Sequence, residues 1–323
     1  MEKATLQVKN LSTSFFTERG EIKAVNDVSF TVPRRSIVGI VGESGCGKSM
    51  TARSIMGLVK YPGRIVAGSI DLEGKELTAL SPRDMSVVRG EEISMIFQEP
   101  MTSLNPVMKV GHQVREAVLL HRKVSRKEAK NKVLRIFEEV GISEPEKRYN
   151  SYPHELSGGL RQRVMIAMAM VCRPKLLIAD EPTTALDVTV EAQILELMKK
   201  LRDEVDTSII LISHNLGVIA EVCDYVHVMY AGRIVESGET FELFDNPRHP
   251  YTKGLMSAVN SLALRQPSLE TIPGTVPNLL DVKEGCSFAP RCRHCNQRCI
   301  TETPALSELS AGHNVRCHLV REV

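Results

Sequence analysis

The sequence has no tryptophan, and aromatic residues make up only 4% of it. A platform of rings for stacking nucleic-acid bases is therefore excluded as its organising feature. An excess of charge of either sign is also missing. The 41 lysine and arginine residues oppose 39 aspartate and glutamate residues, a net +2, which excludes a strongly basic nucleic-acid groove. Long apolar runs are absent too: the longest, Val164–Cys172, has nine residues, whereas a membrane-spanning helix needs ~18 or more. The opening MEKATLQVKN holds no apolar stretch of the signal-peptide kind, so the sequence reads as a soluble, non-exported protein. What is present is ordinary for globular chains, with 42% hydrophobic and 25% charged residues. The 323 residues suggest about two domains.

The N-terminal part reads as short strands. Leu6–Val8, Ala24–Val32 and Ile65–Leu72 alternate β-branched and polar residues between Gly and Asp turns. Ile37–Val41 is continuously apolar and runs into a Gly-rich loop, as a strand buried on both faces does. From about Val110 to Tyr149 the pattern becomes helical and charged, with Gly141 as a stop signal. Leu176–Ala179 and Ser208–Ile212 read as two more buried strands, separated by the amphipathic stretch Val188–Arg202. Buried strands alternating with helices imply an α/β fold with a parallel, helix-covered sheet. Beyond Gly238 the texture changes: Pro247, Pro250, Pro267, Pro273 and Pro277 punctuate a segment with few periodic runs. Cysteine usage changes there as well. Cys46, Cys172 and Cys223 are scattered, but the other five crowd into Cys286–Cys317, a bias that marks a separate C-terminal unit and reads as metal binding in a reducing compartment.

Residues Gly42–Ser49, GESGCGKS, fit the spacing G-x-x-x-x-G-K-[ST]. Glycines let main-chain N–H groups turn inward around phosphate oxygens, and the N-terminus of the following helix adds a favourable dipole. In such a loop Lys48 reaches the β and γ phosphates and the Ser49 hydroxyl ligates Mg²⁺. The cradle comprises Gly42, Ser44, Gly45, Cys46, Gly47, Lys48, Ser49 and Met50, with Cys46 as a small filler. A second feature lies in LLIADE, Leu176–Glu181, an apolar strand ending in two acids. Ligands bind at the carboxyl edge of a parallel sheet. There Asp180 can hold the Mg²⁺ shell and Glu181 can accept a proton from an attacking water. His214 follows the strand SIILIS; taken alone it is a weak signal, but from that edge it could reach a γ-phosphate.

LSGGLRQR, Leu156–Arg163, lies directly upstream of the acidic strand. Together with the phosphate loop, Gln98 in IFQEP, TTALD at Thr183–Asp187, and His214, it gives an order and spacing that resemble an ABC-transporter ATPase over roughly residues 5–240. EPMTSLNP, Glu99–Pro106, and RHPYTKGLMSAV, Arg248–Val259, narrow the resemblance to the ATPases of dipeptide/oligopeptide importers, and the Cys-rich tail is similar to theirs. The resemblance implies a P-loop NTPase with a RecA-like parallel sheet, an N-terminal antiparallel β-subdomain, an inserted α-helical subdomain and a Cys-rich C-terminal extension. Residues 1–240 would form the ATPase domain, with the helical subdomain at about 100–155, and residues 241–323 the extension.

The same resemblance assigns roles. Phe15 would stack on adenine, with Phe16 competing. Gln98 would touch the catalytic water or Mg²⁺. Ser157, Gly158 and Gly159 would donate to the γ-phosphate of a nucleotide held by an opposing ATPase subunit, identical or homologous, so that two ATPs are sandwiched. Asp187 would sit at that junction, and His214 would steady the γ-phosphate. Leu160 departs from the commonest signature, which has Gln there. The implied partners are the second ATPase, two transmembrane permease subunits docked on Pro100–Pro153, and indirectly an extracytoplasmic peptide-binding protein, with no nucleic acid. The implied place is the cytoplasmic face of the membrane, as a peripheral subunit. A soluble ABC-type ATPase acting on nucleic acid or ribosomes, or an importer of a related solute such as nickel, is the alternative.

The tail cysteines are spaced Cys286-x5-Cys292-x2-Cys295-x3-Cys299-x17-Cys317. Four thiolates suit a [4Fe–4S] cluster or tetrahedral Zn²⁺; free thiols or an oxidised pair are the remaining readings. In the resembled group the recurring pattern is C-x5-C-x6-C with a distant Cys, and iron–sulfur binding is attributed to it. That resemblance selects Cys286, Cys292, Cys299 and Cys317 for a [4Fe–4S] cluster and leaves Cys295 spare.

Overall fold

The computed structural model describes residues 4–98, 103–184, 186–263, 272–280 and 284–320. Residues 99–102 of EPMTSLNP, Ala185 of TTALD and Pro267 therefore lie outside the described residues. The chain divides into two compact units: Met1–Thr5, Pro33–Ser36 and Ala79–Ile210 in the first, and Leu6–Val32, Ile37–Thr78 and Leu211–Val323 in the second.

In the first unit, strands Ile93–Ile96 and Leu176–Asp180 pair in parallel, Ile93 opposite Leu176 and Ile96 opposite Ala179. Every residue of both strands is buried, the continuous apolar pattern of a parallel sheet covered on both faces. Helices Val110–His121, Arg126–Glu139, Pro145–Tyr149 and Gly158–Met170 form the helical part. Arg126–Glu139 starts at a capping box, in which the Ser125 hydroxyl accepts from the Glu128 N–H and the Glu128 carboxylate accepts from the Ser125 N–H, so two orphan donors are satisfied reciprocally. Its stripe of Ala129, Val133, Ile136 and Phe137 is buried, as are Val114, Val118 and Tyr149 on its neighbours. That burial, more than local propensity, stabilises helices this short.

In the second unit, a four-stranded sheet runs in the order Gly20–Pro33, Ala4–Thr17, Gly63–Leu72, Lys75–Glu76. Ala4–Thr17 is antiparallel to Gly63–Leu72, with Leu6 opposite Leu72. The strand Ile37–Val41 pairs in parallel with Tyr225–Tyr230, and its five residues are all buried. Tyr225–Tyr230 pairs antiparallel with Arg233–Glu239. The last described strands, Ser307–Ser310 and His313–Val315, form a hairpin that continues from Arg233–Glu239, with Val315 opposite Glu236. The segment beyond Gly238 is more regular than its prolines suggest. It carries helices Thr240–Asp245 and Pro250–Ala263, because Pro250 opens its helix at a position where no intrahelical N–H is needed. Among the described residues no helix is long and apolar enough to cross a membrane.

One buried polar group ties the tail down. The Glu236 carboxylate is fully buried and accepts from the Arg248 N–H at 2.6 Å and the His249 N–H at 2.9 Å, and it lies 2.8 Å from the His313 ring Nε2. Farther along, Arg316 donates to Asp27 at 3.1 Å and to the Ile234 carbonyl at 3.2 Å.

Two histidines in this unit are buried in the neutral form. His227 lies among the Phe30 and Tyr225 rings, and His249 against the Phe288 ring. Burial pushes both down to about 3 from an ordinary 6.5. A base whose folded value is depressed binds its proton more readily when unfolded. The associated stability is present above about 6.5 and is lost as pH falls towards 3, by at most ~1.4 kcal/mol per pH unit for each ring. The midpoint of urea unfolding is therefore expected to drop between pH 7 and pH 5, and to drop less in His227→Phe; a midpoint independent of pH contradicts this.

Candidate functional site

The phosphate loop follows the buried strand Ile37–Val41 and leads into helix Lys48–Ile55. Two glycines are dictated by space. At Gly42, with φ +150°, a Cβ would stand 2.2 Å from the Met229 carbonyl oxygen; at Gly47, with φ +109°, it would stand 2.5 Å from the Ala24 carbonyl oxygen. The loop is thus pressed against two neighbouring main chains, and no L side chain fits either place. Ser44 and Gly45 form its exposed crest, Cys46 is fully buried beneath it, and Ser49 and Met50 in the first turn of the helix are half-buried. Burial also pushes the Cys46 thiol up, in keeping with a packing role.

Lys48 is 6% exposed, and its ammonium donates to the carbonyls of Gly42 at 2.7 Å and Glu43 at 3.0 Å. The loop therefore closes around its own cation. A polyphosphate offers this ammonium oxygen acceptors of greater charge than the carbonyls it now holds.

The acidic strand end is built by register. Because Ile96 pairs with Ala179 in parallel, the residues two positions beyond each, Gln98 and Glu181, come side by side. The Gln98 Nε2 donates to the Glu181 Oε2 at 2.8 Å. The Thr184 hydroxyl donates to the same oxygen at 3.1 Å. Glu181 adopts φ +50°, a left-handed conformation rare for a residue with a side chain, and Asp180 before it is 3% exposed. Thr184 was not singled out as a partner of Glu181 from the sequence; its place three residues on, within the turn after Pro182, is the signal that could have found it.

Ser157 caps helix Gly158–Met170, its hydroxyl accepting from the Leu160 N–H at 3.4 Å. Arg161 fixes the preceding turn by donating to the Pro153 and Leu156 carbonyls. Ser157 and Gly158 are exposed, Gly159 and Leu160 half-buried. Gly159 allows close packing, since a Cβ there would meet Val190 at 2.9 Å. Asp187 caps the helix Val188–Val205 by accepting from the Val190 N–H.

His214 is exposed between strand Ser208–Ser213 and helix Leu216–Val222. Phe15 is half-buried, and its ring lies against Gly63 on the paired strand; Phe16 is 42% exposed beneath the Arg64 guanidinium.

The cysteine tail departs from expectation. Among the described residues no group of three or more His, Cys, Asp or Glu side chains is placed to hold a metal ion, so the [4Fe–4S] assignment to Cys286, Cys292, Cys299 and Cys317 is withdrawn, and the zinc alternative with it. The physical reason is that spacing along the chain does not by itself bring side chains to one point, and that convergence is missing among the described residues. Burial raises the Cys286 thiol to about 11 and pushes the Cys292 and Cys317 thiols up as well, as it does for thiols with no metal beside them. All these cysteines are free. Main-chain bonds such as Cys286 N–H to the Cys299 carbonyl at 2.8 Å, and the Glu236 and Arg316 contacts, order the segment instead.

Since Gly42 has no room for a side chain, Gly42→Ala is expected to weaken binding of MgATP by roughly tenfold or more. Titration with a fluorescent ATP analogue measures this, and wild-type affinity in the variant would remove the loop's path as the basis of binding.

Residues 25–184 match the family model described as ABC transporter, and residues 235–299 match that of the oligopeptide/dipeptide transporter C-terminal region. The oligopeptide transport ATP-binding protein AppD of Bacillus subtilis is 49% identical, over 98% of this chain and 97% of its own length. OppD of Salmonella typhimurium, also an oligopeptide transport ATP-binding protein, is 51% identical, over 97% of this chain and 92% of its own. Among solved structures, cbiO1 of Clostridium perfringens, part of the ABC transporter complex cbiONQ, superposes with a TM-score of 0.67 at 26% identity, covering 83% of this chain and 98% of that one. With near-full-length relatives at about half identity and both parts of the chain matched, this chain belongs to the ABC-transporter ATP-binding proteins, in the oligopeptide/dipeptide branch.

Proposed function

We propose that this chain is the ATP-hydrolysing subunit that powers import of di- and oligopeptides through separate membrane permeases. The observation that carries the reading is the contact between Gln98 and Glu181 at the end of two parallel strands. It gives the ATPase a carboxylate oriented by two donors, Gln98 and Thr184. The peptide assignment rests on relatives such as AppD and OppD and on the C-terminal region of the same branch; neither the nucleic-acid nor the nickel alternative has such support.

In this reading Phe15 stacks on adenine. The main chain of Gly42–Met50 and the Lys48 ammonium hold the phosphates, where fixed amides and a cation offset charge without reorganising during reaction. Ser49, Asp180 and Gln98 have the hard-oxygen chemistry that suits Mg²⁺. With its nitrogen donating to Glu181, Gln98 would have its amide oxygen free to help hold the ion. The ion, when bound, neutralises charge on the β and γ phosphates. Glu181 accepts the proton of the attacking water, and His214 steadies the γ-phosphate.

Ser157 and Gly158, exposed at a helix N-terminus, and the half-buried Gly159 beside them present N–H groups and a positive dipole end to the nucleotide of a second ATPase subunit. Two ATPs are then sandwiched, with Asp187 at the junction. Residues 1–240 act as the ATPase domain, the helical part at about 100–155 docks two permeases, and the protein works at the cytoplasmic face of the membrane. Peptide delivered by an extracytoplasmic binding protein never touches this chain.

Glu181→Gln is expected to keep MgATP binding while losing turnover by roughly 100- to 10,000-fold, as read by phosphate release; full turnover in the variant removes Glu181 from its role. Reconstitution with permeases and a binding protein tests the whole reading. ATPase activity should rise with added peptide, and a rise with nucleic acid or nickel alone would overturn the peptide assignment.

A further inference from the structure

The C-terminal segment makes direct contact with the phosphate loop through residues that none of the nucleotide motifs contains. We propose that Tyr251 and Arg291 are positioning residues for that loop: Tyr251 pins the Glu43 main chain and Arg291 neutralises the Glu43 carboxylate, so that it does not oppose a bound polyphosphate. The proposal deepens the function above and rests on reading Gly42–Ser49 as a polyphosphate cradle.

The loop GESGCGKS carries one cation, Lys48, and one anion, Glu43. Its formal charges cancel, a poor starting point for holding a polyanion. Arg291 changes that balance. Its Nη1 donates to the Glu43 Oε2 at 2.6 Å and its Nη2 to the Oε1 at 3.0 Å, the two-pronged geometry that makes guanidinium–carboxylate pairs specific and strong. The Arg291 side chain is 6% exposed and that of Glu43 29%, so solvent and salt screen the pair less than an open surface bridge.

The guanidinium is itself fixed. It donates to the Pro273 carbonyl at 2.8 Å and the Gly274 carbonyl at 3.2 Å, and it reaches the Tyr230 hydroxyl at 3.4 Å. The main chain of Glu43 is held from both sides as well. Its N–H donates to the Tyr251 hydroxyl at 2.9 Å, and its carbonyl accepts from Lys48 at 3.0 Å. Tyr251 is fully buried and packs against the Tyr230 and Phe288 rings, which leaves its hydroxyl little freedom. Tyr251 stands in the RHPYTKGL stretch, and Arg291 stands between Phe288 and Cys292 of the tail. The C-terminal region thereby gains a task within nucleotide binding that needs no bound metal.

A four-way comparison of wild type, Arg291→Ala, Glu43→Gln and the double variant tests this in the full-length protein, with a fluorescent ATP analogue and Mg²⁺ as the probe. Arg291→Ala should weaken binding roughly three- to tenfold in the Glu43 protein and by less than about twofold in the Glu43→Gln background. Equal losses in the two backgrounds, or no loss in either, overturn the neutralisation, because an arginine that only anchors the tail is indifferent to the charge on Glu43. If Arg291→Ala fails to fold by circular dichroism, Arg291→Lys and Arg291→Gln take its place. Lysine should retain most of the affinity and glutamine should not, and equal affinities for the two overturn the proposal. Wild-type protein that does not bind the probe at all refutes the cradle itself, an outcome separate from the Arg291 comparison.

Discussion

A lysine ammonium almost shut off from water, held by the carbonyls of the loop that precedes it, is the arrangement on which the rest of this protein depends. Lys48 can be buried there only because the chain makes a tight turn at the end of a fully buried strand. That turn exists only because Gly42 and Gly47 allow two other main chains to come within a distance that excludes a Cβ. Charge, space and backbone conformation are therefore one constraint. A buried cation without carbonyl partners would shed its proton, and a loop with side chains at those two glycines could not supply them.

The hydrolytic end follows a different logic. No local motif places Gln98 beside Glu181, since 83 residues separate them. Parallel pairing does so, by setting Ile96 opposite Ala179 and so bringing the two strand ends to the same level. The positive φ of Glu181 then turns its side chain out of the strand direction into reach of Gln98 and Thr184. Sheet register does for the carboxylate what glycine geometry does for the phosphate loop.

Much of this was legible in the sequence. Ile37–Val41 is a strand of the length read from its apolar run, and Leu176–Asp180 and Ser208–Ser213 each extend one residue past theirs, because continuous apolar runs bounded by Gly, Pro or acids leave little choice. The N-terminal strands are longer than read: Ala4–Thr17 extends well past Val8, since its polar residues pair across the sheet where alternation is imperfect. Thr184, Tyr251 and Arg291 escaped notice for another reason. Tyr251 and Arg291 act through contacts set by tertiary packing, Thr184 through a local turn back to Glu181, and none belongs to a spacing pattern that names its chemistry. The tail misled in the opposite sense. Cysteine spacing suggested a cluster, but spacing along the chain does not establish that side chains converge on one point, and among the described residues no such group forms.

The carboxylate of Glu236 carries one more consequence. It is buried without any exposed edge, and one of its three partners, the His313 ring, comes from the hairpin late in the sequence. A shortened version of the gene product stopping before that hairpin would leave a carboxylate in the interior with its companion gone and the edge of Arg233–Glu239 unpaired. The extension is thus no detachable appendage of the engine: trimming it would disturb the same sheet that supports the phosphate loop, and shorter versions for study are better cut elsewhere.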